Sequence, residues 1–183
     1  MLKVNENPPM TWPEAASIAE FKGTWWVAHT KPRNEKALAW QLLSKEVAYF
    51  LPMHWKVSRR HRRTFRSLLP LFAGYLFFCG SEDSRLEVLK TNRTAGIIPV
   101  ENQSQLIKEL LPIETLLKSG KPVLPHDYIQ VGQRCRVITG PLMGTEGIVI
   151  STPRQTRLVL SVQILGQAAS VEIGWDMIEK IDG

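Results

Sequence analysis

VITGPLMGTEGIVI, residues 137–150, sets two short β-branched runs on either side of a loop that holds Gly140, Gly144 and Gly147. Val and Ile favour extended backbone, and glycine takes the positive φ that a tight reversal demands, so the stretch reads as a β-hairpin. Leu142 and Met143 fall at its tip, where apolar side chains are expected only if a partner covers them. Downstream, RLVLSVQI alternates Leu158, Leu160, Val162 and Ile164 with Arg157, Val159, Ser161 and Gln163. That period of two predicts a strand with one face in a core. Similar runs occupy 134–139, 147–152, 168–173 and 177–181. Five strands in so short a segment predict a small closed β-barrel over 128–183, whose limited core suits a binding module.

Upstream, SGKPVLPHD (119–127) carries Gly120, Pro122 and Pro125 and reads as a linker. Before it, strands and helices alternate. TWWVAHT (24–30) reads as a strand, and 34–47 places Ala39, Leu42, Leu43 and Val47 at helical spacing, with Pro32 and Glu35 suited to its first turn. AYFLPMHWKV (48–57) reads as a strand bent at Pro52, and PLFAGYLFF (70–78) as another. A short helix over 86–93, a strand at 96–100 and a helix over 105–117, interrupted near Pro112, complete the pattern. The order β-α-β-β-α-β-α with hairpin-length links predicts an α+β domain over 22–118, its antiparallel sheet flanked by helices. Residues 1–21, with Pro8, Pro9 and Pro13, read as a loose extension.

Charge is divided unevenly. Residues 1–120 hold 17 Lys/Arg against 11 Asp/Glu, and 121–183 hold six of each. Between Lys56 and Arg66 there are six cations and no acid. A local cationic excess suits an anionic partner, because Lys and Arg displace condensed counterions from phosphates. The longest uncharged run, 67–81, contains Pro70 and Gly74 and is too short to span a bilayer. The first residues lack the basic-then-apolar order of a secretory signal, so a cytoplasmic location is expected. Cys79 and Cys135 are isolated, which predicts reduced thiols and no metal site. No nucleophile–base motif and no GxxxxGK[ST] loop is present, so neither catalysis nor a cofactor is expected.

The GPLMG loop between two strands resembles the KOW motif of the NusG family of transcription elongation factors. WWVAHTKPRNEKAL, PLFAGYLFF and the Arg93-Thr-Ala-Gly96 turn are similar to segments of that family's N-terminal domain, in the same order, so the likeness runs from about Trp25 to Lys180. The HTKPRxEK form and the GPLMG loop look closer to RfaH- and UpxY-type antiterminators. Ala73 stands where the family usually has proline, and the segment before Trp25 is longer than the usual lead-in.

The resemblance implies an N-terminal domain joined to an SH3-like barrel of five strands, in a monomer. It implies docking on the clamp helices of RNA polymerase through Trp26, His29, Phe72, Tyr75 and Ile97. Lys31, Arg33 and Lys36 at the start of the first helix, with Arg59, Arg60, His61, Arg62, Arg63 and Arg66, are the expected contacts to the nontemplate DNA strand. Leu142, Met143 and Ile164 are the expected contacts to a partner of the barrel, with Rho or a small-subunit ribosomal protein as alternatives. A ribosome-associated RNA-binding KOW protein is the competing reading. It sits poorly with a barrel that is electrically neutral. RfaH-type relatives can hold this segment as a helical hairpin, but its period-2 runs and dispersed glycines predict strands.

Overall fold

The computed structural model describes residues 6–14, 17–60, 63–126, 132–151 and 156–181. The chain divides into two compact units, Met1–Gln103 and Ser104–Gly183.

The first unit is built on β1 (Thr11–Trp12), β2 (Thr24–Thr30), β3 (Ala48–Phe50), β6 (Tyr75–Gly80) and β7 (Thr94–Pro99), in the order β1-β3-β6-β2-β7. All these pairings are antiparallel. Side chains alternate across a sheet, which gives β2 two buried faces. Trp26 and Ala28 pack with Leu38, Ala39 and Leu42 of α1 (Glu35–Ser44) and Val88 of α2 (Glu82–Lys90). The opposite face carries Trp25 and Val27, and there Trp25 stacks on Phe21 while Phe77 meets Phe50 and Phe72. Ser81 caps α2 in a reciprocal box with Ser84, which satisfies backbone N–H groups that the first helical turn leaves open. Where β7 ends, the Gln103 amide takes over its role beside β2. Its Oε1 accepts the Trp25 N–H (2.7 Å) and its Nε2 donates to the Trp25 carbonyl (3.0 Å).

Two expectations for this unit change. The single bent strand over 48–57 is two strands in different sheets. β3 joins the main sheet, while β4 (Met53–Arg60) pairs only with β5 (Arg63–Pro70) as a separate ribbon. Pro52, which has no N–H to give a ladder, lies at the break. Nor is the lead-in loose where it is described. Residues 11–12 cover the free edge of β3, the Leu51 N–H donates to the Met10 carbonyl (2.7 Å), and the Tyr49 hydroxyl donates to the Pro9 carbonyl (3.0 Å). An uncovered edge would present a row of unpaired backbone groups. Burial, with a smaller contribution from Glu14, raises the Tyr49 pKa, so its phenol stays protonated as that donor.

In the second unit, α3 (Gln103–Lys118) runs unbroken through Pro112, where the sequence predicts an interruption. Proline forfeits one helical hydrogen bond there, and burial of Leu106, Leu110, Ile113 and Leu116 along the helix offsets it. The five expected strands form as β9 (Gln133–Val137), β10 (Glu146–Ser151), β11 (Thr156–Val162), β12 (Gln167–Glu172) and β13 (Ile178–Lys180). A sixth, β8 (Leu124–His126), falls inside the segment read as linker and pairs with β12. The antiparallel order is β13-β9-β10-β11-β12-β8. Among the described residues no ladder joins its two end strands. Val159, expected on an outer face, is buried with Leu158 and Leu160, so both faces of β11 are covered along this stretch. Gly147 permits the close pairing of β10 with β11, since a Cβ there would stand 2.7 Å from the Val159 carbonyl oxygen.

Candidate functional site

At one end of the main sheet, β2 and β6 bring His29 opposite Tyr75. Their rings stack at 5.1 Å between centroids and 22° between planes. His29 is exposed and Tyr75 half-buried. On the other side of β2, His29 faces Gly96, which contributes no side chain and leaves the imidazole uncovered there.

The turn that delivers Tyr75 is fixed from three directions. The Tyr75 N–H donates to the Phe72 carbonyl (3.2 Å), and the Thr30 N–H donates to the Gly74 carbonyl (2.8 Å). The Gly74 N–H donates to Oε1 of Glu35 (2.7 Å), the first residue of α1 and itself buried. Gly74 has φ +85°, a conformation that costs any residue with a Cβ about 1 kcal/mol or more. Glu35 thus does more here than complement the helix dipole. Its carboxylate anchors the turn beside the stacked pair.

The five residues expected to line a polymerase face do not come together. Trp26 is 8% exposed and stacks on Phe78 within the helix-covered core (5.3 Å). Phe72 is 1% exposed and meets Phe77 edge to face (6.1 Å, 89°). Neither ring can reach a partner without opening the core, so both leave the contact set. Ile97 pairs with Ala28 and packs against the α1 side, the face opposite His29 and Tyr75. Aromatic residues beside a turn fill a small core as readily as they serve an interface, and the sequence pattern alone does not separate the two.

The expected cations part in the same way. Lys31 and Arg33 are exposed next to His29. The Lys31 ammonium donates to Asn92 Oδ1 (2.8 Å) and its N–H to the Arg93 carbonyl (2.8 Å), while Arg93 Nη1 donates to Asn34 Oδ1 (2.9 Å). Lys36 has a structural task instead. It donates to Asn7 Oδ1 (2.6 Å) and to the Leu68 carbonyl, and burial lowers its pKa, so it ties α1 to the N-terminal segment and the base of the ribbon. Arg59 and Arg66 are exposed on the ribbon, whose register pairs Arg60 with Arg63. His61 and Arg62 lie outside the described residues.

Sequence reasoning passed over Trp55, which is exposed on β4. Its signal was the alternation Met53, Trp55, Val57, an apolar strand face running straight into the cationic stretch.

In the second unit, the tip of the 137–150 hairpin is held by the Gly144 N–H to the Val137 carbonyl (2.8 Å) and the Met143 N–H to the Gly140 carbonyl (3.1 Å). Met143 is 73% exposed, as expected. Leu142 is only 6% exposed, and shares a small cavity with Leu116, Val137 and Ile173. It is a packing residue, so of the pair only Met143 is available to a partner. Ile164 is half-buried in a short 3-10 turn, where the neighbouring Gln163 N–H donates to Glu109 Oε2 (3.1 Å).

An α+β unit with an exposed ring pair at one end of an antiparallel sheet and a cationic ribbon beside it, followed by a second antiparallel β unit, is the build of a two-unit α+β protein. The family model described as "Transcription termination factor nusG" matches residues 23–115, just over half of the 183 residues, and the chain belongs to the NusG family. It is similar to the transcription termination/antitermination protein NusG of Borreliella burgdorferi, with 28% identity over 87 residues, 47% of this chain and 47% of that protein. The chain thus matches about half the length of that curated relative. Among solved structures, the MjSpt4:Spt5 complex in conformation B aligns over 87% of this chain and 97% of its own at 16% identity, with a TM-score of 0.28. No helix among the described residues is long and apolar enough to cross a membrane.

Proposed function

We propose that the chain is a transcription elongation and antitermination factor whose first unit binds RNA polymerase at its clamp helices. The observation that carries this reading is the stacked His29–Tyr75 pair, accessible at a strand end and held by the Glu35–Gly74 anchor, in a chain of the NusG family. A rigid, partly exposed ring pair fits a protein pocket at low cost in side-chain entropy, which is the character of an interface anchor. Lys31 and Arg33 beside it, and the arginines of the ribbon, would meet the phosphates of the nontemplate strand. In this reading the second unit is the SH3-like KOW barrel, and Met143 marks the surface that recruits a partner protein. The bound factor would disfavour paused polymerase only through its higher affinity for the active conformation. The two specialised features, the HTKPRxEK form and the GPLMG loop, favour an RfaH- or UpxY-type role over a general one.

Capture of core RNA polymerase by the full chain tests the reading. Tyr75→Ala and His29→Ala should each weaken capture by roughly 1–3 kcal/mol while circular dichroism stays that of the parent. Parent-like capture by both folded variants would remove this pair, and with it the polymerase reading of this face.

A further inference from the structure

The ribbon of β4 and β5 has two faces, and its register assigns them. Residues directly opposite one another share a face, so Trp55 lies with Leu68, Val57 with Arg66, and Arg59 with Thr64 on one side. Met53, next along that face toward the base, is buried in the core, and Leu68 packs against the same core. Beyond them the ribbon leaves its support. Trp55 is 48% exposed and Val57 58% exposed, with Arg59 and Arg66 exposed beside them. Among the described residues neither Arg59 nor Arg66 has an ion-pair partner. Neither strand contains an acidic residue, and together they hold Lys56, Arg59, Arg60, Arg63 and Arg66.

A two-stranded ribbon gains little stability on its own, and a tryptophan left half open on it gains little from packing. Folding therefore does not explain the alternation of Trp55 and Val57 with cations. Charge narrows the choice of what would cover this face. An indole offers a flat π surface, Val57 extends it along the strand by about 7 Å, Arg66 stands opposite Val57, and Arg59 lies one step further along the same face. Unpaired bases on a phosphate chain match both features at once, whereas the bases of a duplex are already stacked on each other.

We propose that this face of the ribbon binds single-stranded DNA, with Trp55 stacking on an unpaired base and Arg59 and Arg66 holding the phosphates that follow it. The proposal rests on the reading of the ribbon as the nucleic-acid element, and adds to it a stacking residue, Trp55. The test is fluorescence anisotropy with the full chain, using labelled oligothymidylate and an abasic strand of equal length across a salt series. Trp55→Ala should weaken oligothymidylate binding roughly 5- to 150-fold with no change in salt slope, and Trp55→Phe should recover most of it. On the abasic strand the parent and Trp55→Ala should bind alike. Replacing Arg59 and Arg66 together with Gln should lower the log–log salt slope by about 1.4. Parent-like binding by Trp55→Ala, alongside loss in the double arginine variant, overturns the stacking and leaves the charge reading standing. Parent-like behaviour by both overturns both. Tighter binding of oligouridylate than of oligothymidylate overturns the assignment to DNA. Unchanged oligothymidylate binding with weakened polymerase capture assigns Trp55 to a protein contact and ends the proposal.

Discussion

Phe72 and Trp55 lie on either side of the basic run 59–66, and the fold treats them in opposite ways. Phe72 sits at the head of a turn whose carbonyl and amide groups are taken by Thr30 and Glu35, and its ring closes against Phe77. Trp55 stands on a two-stranded ribbon and keeps about half of its surface open, 48% exposed. Both are aromatic residues close to cationic sequence. The difference is the number of layers available at each place. A five-stranded sheet can bury side chains on both faces, and a two-stranded ribbon cannot. An aromatic residue is therefore informative about binding only after its layer is known, and here the informative ones are Trp55, Tyr75 and His29.

Stability measurements sharpen this contrast. Phe72→Ala should destabilise the chain by about 3–5 kcal/mol in urea unfolding, the cost of a cavity in a packed core. Trp55→Ala, with little packing to lose, should change it by less than about 1 kcal/mol. Similar losses for the two would mean that the ribbon is supported in solution and that the contrast fails. Next in size is the anchor that separates the regions. Glu35→Ala leaves the part-buried Gly74 N–H without its acceptor and should cost about 1–2 kcal/mol. It should also weaken polymerase capture without touching either ring of the His29–Tyr75 pair. A variant with lowered stability but unchanged capture would show that the turn need not be anchored for the pair to bind.

The smallest effect concerns the helical side of the first unit, away from both regions. Hydrogen bonds from Lys45 and Lys90 (the latter 2.7 Å) bring the Glu87 carboxyl down to about 2 from its ordinary 4.5. A depressed folded pKa contributes stability that is present above the unfolded carboxylate range and is lost as pH falls through about 2. The group is solvent-exposed, so the contribution is minor and screened by salt. An NMR titration should place the Glu87 midpoint near that low value, and Lys45→Gln should move it up. A midpoint unaffected by Lys45→Gln would leave Lys90 as the sole partner.

The sequence by itself determined the order and type of most elements, because each rests on local chemistry. The β-branched run at 24–30 emerges as β2, the helical spacing after Asn34 as α1, and the period-2 runs after residue 132 as five strands. Net charge and its location are likewise local properties, so the cationic ribbon was legible before any fold was known. Tertiary structure alone decided which side of a sheet a residue faces and whether another layer covers that side. Trp26 and Ile97 went to the helix side, Phe72 and Leu142 into cores, Lys36 into a bridge to Asn7, and the lead-in onto the edge of β3. Each of those outcomes depends on partners distant in sequence. Burial against a second layer fixes the apolar residues, and hydrogen bonds to distant partners fix Lys36 and the lead-in; local periodicity encodes neither.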